Sequence, residues 1–207
     1  YMFNTAGADA MRLYMMNSPV VRAEEFAFSE KGVREVASKV MGRLRNTMSL
    51  YQMYAGDVEH IAHAESPHVL DQWIISRMNQ LLVEVTTALD AYELDRAARP
   101  IFEFVDDFST WYVRRSRERF WSNGMTDDKK SAYATLYECL TSIAYLLAPS
   151  MPFLAEALYR NLVVEMDSNA LDSIHLAQWV KADDSLIDET LMRDMSLVRM
   201  MVRLGLG

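Results

Sequence analysis

The sequence predicts an all-α helical bundle with a small α/β connector at its start, and three observations carry that class. Apolar residues recur at helical spacing along five or six long stretches. Seven Gly and five Pro in 207 residues leave little room for long linkers, and no repeat or low-complexity run occurs. The composition, 51% hydrophobic and 24% charged, is that of a globular chain long enough to bury a sizeable core. The connector occupies 1–28, the helical domain 29–180, and a C-terminal helix with the start of an extension 181–207.

In the connector, Asp9 sits near a helix start and Met11, Leu13, Tyr14 and Met15 follow it. Ser18-Pro19 ends that helix, because a residue before proline avoids the α region. VVRAEEFAF is a short β-leaning run, and residues 1–28 are expected to be the least anchored part. Ser29, with Gly32 and Val33 beyond it, opens a long helix to about Tyr54, with Val33, Val36, Val40, Leu44, Met48 and Tyr51 on one face. Gly56-Asp57 stops it. The polar loop that follows spaces His60, His63 and His68 as HxxHxxxxH, but no Cys or paired carboxylate completes a tetrahedral set, so no metal site is expected. Ser66-Pro67 then reads as N-cap serine and first-turn proline of a helix facing inward through Leu70, Ile74, Met78, Leu81, Val85 and Ala88.

A tight connection at Tyr92 to Leu94 leads to the central helix, which Asp95 is placed to cap. Pro100 lies about a turn inside it and costs a hydrogen bond or adds a bend. Asn123-Gly124 marks a turn, and Thr126 or Asp127 caps a helix with Tyr133, Leu136, Leu140, Ile143 and Leu147 inward. Pro149 and Pro152 break it, and Leu154, Leu158 and Leu162 carry a shorter helix. Residues 164–184 read as loop with a brief extended SIHLAQW. Ile187, Leu191, Met195, Val198 and Val202 then give a last amphipathic helix.

The central stretch, Arg99 to Trp121, changes character along its length. Ile101, Val105, Phe108 and Tyr112 form a core face widened by Phe104 and Trp111. Continued by one and two turns, that face lands on Arg115 and Arg119. Residues 112–121 carry four arginines against one glutamate, set among Tyr112, Phe120 and Trp121. Guanidinium groups beside aromatic rings suit an RNA partner, since arginine pairs bidentately with phosphate and stacks on bases. A solvated helix end with local pairs, Arg114 to Glu118 for example, satisfies the same spacing. The net charge of −8 excludes a sequence-blind nucleic-acid binder but permits a local basic stripe, since charges act over a Debye length of about 8–10 Å.

No catalytic pattern accompanies the stripe. Gly-rich phosphate loops, GxSxG and HExxH are absent. Cys139 falls among Leu136, Leu140 and Ile143 and reads as core. Asp106 and Asp107 point about 100° apart on a helix and cannot converge on one substrate atom, so they are expected to pair with arginines or face solvent. One cysteine excludes an intrachain disulfide, and no apolar run reaches the roughly 18 residues of a membrane span.

Several strings carry a resemblance. GADAMRLYMMNSPVVRAE, LDQWIISRMNQLLVEVTTALDAYEL, FVDDFSTWYVRRSRERFW, KKSAYATLYECLTSIAYLLAPSMPFLAEALYRNL and SIHLAQW occur in that order from Gly7 to about Trp179. Together they resemble the helical anticodon-binding domain of class I isoleucyl-tRNA synthetases; LDxWIxSRxN alone is shared with the valyl enzymes. The resemblance implies a parent ligase that joins isoleucine to its tRNA, with ATP and magnesium held in a catalytic domain. The HIGH and KMSKS signatures of that domain are absent here, so neither a catalytic residue nor a cofactor is expected within these residues. The implied partner is an isoleucine tRNA rather than DNA or a membrane, and the implied setting is a cytoplasmic monomer. The RNA-binding residues it implies are Arg114, Arg115, Arg117 and Arg119 with Tyr112 and Trp121, together with Arg22 and the string Arg43, Arg45 and Asn46. Glu118, Thr110 and Pro100 depart from the usual family residues, as do Arg45, Ser49 and Leu50. Two other readings of the residues are a valyl-type domain and a helical protein-interaction module in which the arginines are interchangeable surface charge.

Overall fold

The computed structural model describes residues 1–54 and 66–205. His60 and His63 lie outside the described residues. Two short helices, α1 (Met2–Thr5) and α2 (Ala8–Met16), open the chain. α3 runs from Glu30–Val36 through a π-wound stretch, Ala37–Gly42, into Arg43–Tyr54. α4 spans Val69–Asp90. α5 spans Leu94–Asp106 and continues as a second π-wound stretch, Asp107–Val113, with α6 (Arg117–Trp121) after a turn at Ser116. α7 (Asp127–Leu147) and α8 (Pro152–Tyr159, π-wound over Arg160–Val164) follow, and α9 (Glu189–Gly205) closes the chain. No strand occurs among the described residues.

α4 is the axis of the bundle. It packs most extensively on α5, on α7 across the core, and on α9 along another side. Ile74, Met78 and Leu81 of α4 are fully buried with Leu44 of α3 and Leu136 and Leu140 of α7, as apolar spacing requires. An aromatic ladder runs through this core. Phe104 stacks on Phe108 at 5.6 Å and Phe108 on Tyr112 at 5.9 Å, while Phe120 meets Tyr112 and Tyr133 edge to face.

The connector departs from its sequence reading. Val20 to Arg22 belong to a 3-10 turn (Pro19–Arg22) rather than a strand, and residues 23–29 pair with no neighbouring strand. Proline sets the first φ of that turn and no sheet edge is present to receive the run. The segment is nevertheless anchored. Buried Asp9 accepts a 2.7 Å bond from the Leu154 N–H, so a side chain of α2 caps the first turn of α8. Tyr14 packs on Phe26 and Phe28, and its hydroxyl accepts from Ser29 N.

Helix starts follow their caps closely. Ser29 accepts from Gly32 N and Thr126 from Lys129 N, as expected. α4 instead starts two residues later than Ser66-Pro67 suggests: His68 Nδ1 caps Leu70 N at 3.2 Å, while Ser66 Oγ donates to Asp71 and accepts from His68 N. The α4–α5 connection closes with Tyr92 at φ 59° and a 2.8 Å bond from Glu93 N to the Ala88 carbonyl. Asp95 is not the N-cap of α5, a position held by Glu93; it lies in the first turn, where its carboxylate accepts from Arg22 and from the Asp95 and Arg96 N–H groups.

Candidate nucleic-acid interface

The phase of the central helix decides which arginines face out. Phe104, Phe108, Tyr112, Ser116 and Phe120 are all fully buried, a strict four-residue spacing. On an α-helix such a row drifts about 40° per step, because each residue turns about 100°. The π-wound stretch Asp107–Val113 widens the turn and keeps the row on one side. Arg115 is thereby turned to solvent, although simple α-helical continuation of the core face runs through it.

Two of the expected contact residues belong to the interior. Tyr112 is fully buried, and its hydroxyl donates to Asp71 Oδ1 at 2.9 Å, so its ring cannot stack on a base. Arg119 forms a fork on the buried Asp71 carboxylate, at 2.7 and 2.8 Å, and also binds Asp128. Burial works against its charge, but the bonds from Asp71 and Asp128 outweigh it and raise the guanidinium pKa above its ordinary value. Asp128 is correspondingly lowered by Arg119. Arg119 closes α6 onto α4 and α7; it does not belong to the outer surface.

The remaining residues of the stripe face outward. Arg114 is exposed and has no ion pair among the described residues; the turn at Ser116 separates it from Glu118. Arg115 lies over the Trp111 ring at 4.3 Å and Arg117 over the Trp121 ring at 3.9 Å. Trp121 is 47% exposed, so the Arg117–Trp121 stack presents a flat, cationic tip beyond the helix.

α3 crosses the π-wound stretch and brings the second predicted group alongside. Arg43 and Asn46 line a depression of about 260 Å³ with Thr47, Ser109, Thr110 and Val113. Thr110 also borders a larger groove of about 480 Å³ on its other side, lined by Trp111, Arg114 and Arg115. Arg43 binds Asp106 at 2.6 Å, while Arg45 is exposed. Arg22 is not brought to this surface. It pairs with Asp95, which lowers the carboxylate against the effect of its burial. Asp95 lies 15 residues before Thr110, roughly 20 Å along the helix at 1.5 Å per residue.

Sequence spacing missed the contribution of α9. The apolar pattern points Val198 inward, but Val198 is 48% exposed and Arg199 takes the inward place. Arg199 binds the Asp107 carboxylate and lies within 5.7 Å of the Trp73 ring and 5.5 Å of the Trp111 ring. Arg203, one turn on, lines the larger groove opposite Arg114 and Arg115. Arg77 of α4 supports Asp107 from below at 3.6 Å. The one available signal was the i, i+4 repeat of Arg199 and Arg203 within an otherwise apolar stripe.

The helical bundle has a counterpart among solved structures. A chain of the ternary complex of Agrobacterium radiobacter K84 agnB2 LeuRS-tRNA-LeuAMS superposes with a TM-score of 0.60 at 15% identity, over 90% of this chain and 21% of that one, and shows the same fold. The family model for the anticodon-binding domain of tRNA ligase matches residues 71–205. The chain belongs to that family. Relatives include the isoleucine–tRNA ligases of Clostridium tetani, 41% identical over 98% of this chain, and of Dehalococcoides mccartyi strain 195, 43% identical over 96%. The chain spans about 20% of the length of each.

Proposed function

We propose that this chain docks the anticodon arm of an isoleucine-accepting tRNA on behalf of a parent isoleucine–tRNA ligase. The family and the names of the relatives support the reading, as does a fold shared with a protein in a tRNA complex. One observation carries it at the level of residues: Arg114 and Arg115 stand exposed and without ion pairs among the described residues, while the neighbouring Asp106 and Asp107 are already held by Arg43, Arg77 and Arg199. Guanidinium groups so placed bind phosphate oxygens bidentately, which positions an RNA stem without reading its sequence. The Arg117–Trp121 tip and the Arg43–Asn46 depression, with Arg45 beside it, are then the places where unpaired bases meet stacking and edge contacts. Tyr112 and Arg119 fall outside this set because they serve the core, and Arg22 because its partner Asp95 lies far along the helix from the stripe. ATP and magnesium belong, on this reading, to the catalytic portion of the parent ligase, a cytoplasmic monomer.

The test is binding of the chain to isoleucine tRNA, to valine tRNA and to an anticodon-swapped isoleucine tRNA across a salt series. Arg114→Ala and Arg115→Ala should each weaken binding and lower the slope of log affinity against log salt by about one. Preference for the cognate anticodon would assign base reading to this chain, and equal salt-sensitive binding would confine it to stem docking. Binding that is indifferent to both arginines would overturn the reading.

A further inference from the structure

The larger groove is built from two elements that sequence spacing did not join, the π-wound stretch of α5 and the last turns of α9. Trp111 comes from the first, with Arg114 and Arg115 directly after it, and Arg199, Val202 and Arg203 from the second, around a volume of about 480 Å³. The carboxylate that lines it, Asp106, is already matched by Arg43, and Asp107 behind Arg199 is matched by Arg199 and Arg77. Arg114, Arg115 and Arg203 have no ion pair among the described residues, so the groove carries three uncompensated guanidinium groups within a chain of net charge −8.

We propose that this groove binds the sugar-phosphate backbone of RNA, with α9 supplying Arg203 as a phosphate contact and Arg199 as a positioning residue. The inference rests on the tRNA reading above and extends it to the C-terminal helix. Phosphate is favoured over a base because the Trp111 ring is already taken by Arg115 at 4.3 Å and by Arg199 at 5.5 Å, leaving no free stacking platform. Arg199 acts through others: its bond to Asp107 fixes α9 against the π-wound stretch and sets the spacing between Arg203 and the Arg114–Arg115 pair.

The experiment compares variants of the 207-residue chain in the same tRNA salt series. Arg203→Ala should weaken binding about fivefold near 0.1 M salt and lower the salt slope by about one. Arg203→Lys should restore the slope but only part of the affinity, since a point charge lacks the fork. Arg199→Lys, which keeps a cation opposite Asp107, should lower affinity with the slope unchanged. Arg193→Ala, on the same helix but outside the groove, should change nothing. If Arg203→Ala leaves affinity and slope intact while Arg114→Ala moves both, α9 has no part in the site and the proposal fails with the tRNA reading standing. If neither variant responds, both fail. A poly-glutamate peptide that binds as tightly as RNA with the same Arg203 dependence would reassign the groove to an acidic protein partner.

Discussion

Asp71 is a carboxylate with no exposed surface that accepts hydrogen bonds from Ser66, from Tyr112 and twice from Arg119. A buried anion is tolerable only when its lone pairs are filled, and here four donors from three segments fill them. Removing it strands a guanidinium that is itself only 11% exposed. Asp71→Ala should therefore cost about 3 kcal/mol of unfolding free energy, at the lower end of the range for breaking a buried pair because Asp128 still holds Arg119. Tyr112→Phe, which keeps the ring and removes one donor, should cost about 1 kcal/mol. Urea unfolding of the two variants beside the parent checks both, and equal, negligible losses would show that the network contributes nothing. This pairing was not legible in the sequence. Asp71 and Arg119 stand 48 positions apart on different helices, and within its own helix Arg119 has the same local chemistry as the outward-facing Arg117.

At the scale of elements, helices were legible wherever spacing and caps agree. The apolar rows of α3, α4 and α7 and the Ser29 and Thr126 caps follow directly from side-chain period and polar termini. Errors came where a neighbour supplies what the local sequence lacks. Ser66-Pro67 signals a start, yet His68 makes the cap because Ser66 is drawn to Asp71. The Val20–Arg22 run favours strand only if an edge is there to pair with. In α9 a salt bridge to Asp107 outweighs the apolar stripe and rotates Arg199 inward. Pro100 is a further element-scale feature, since it stands inside the regular helix Leu94–Asp106 and leaves the Arg96 carbonyl without its i+4 donor. Pro100→Ala should raise the unfolding midpoint, by an amount bounded by the roughly 3 kcal/mol difference in helix propensity, with the denaturant slope unchanged. A lower midpoint would mean that the proline's restriction of the unfolded chain matters more than the missing bond.

Over the whole molecule, charge and burial are separated in space. The net charge of −8 sits around a core that holds several phenols, while Arg114, Arg115 and Arg203 line one groove between α5 and α9. Burial, reinforced by Tyr137, pushes the Tyr51 phenol up to about 12, and burial likewise raises Tyr112, Tyr137 and Tyr145. In the unfolded chain these groups lose their protons near pH 10, whereas in the folded chain they keep them. The folded state then binds more protons, so the stability is fully present below about pH 10 and is lost as pH rises toward 12. The slope is about 1.4 kcal/mol per pH unit for each tyrosine so affected. Denaturant unfolding at pH 9, 10 and 11, followed beside phenolate absorbance, should show stability falling before the buried phenols ionise. Phenolate absorbance that rises fully near pH 10 in the folded chain would contradict it.

The wide turn at Asp107–Val113 also has a consequence for inheritance. It is a matter of reading frame on the helix surface rather than of any single side chain. Were it to return to ordinary winding over the same number of residues, everything downstream would rotate by about 100°. Arg115 and Arg119 would then point where Ser116 and Phe120 now sit, and Phe120 would meet water. Point substitutions along this surface exchange one contact at a time, and loss of a single amino acid within the wide turn would be absorbed by ordinary winding, leaving the downstream faces nearly in place. These seven positions can therefore lose one residue more readily than they can lose their wide winding.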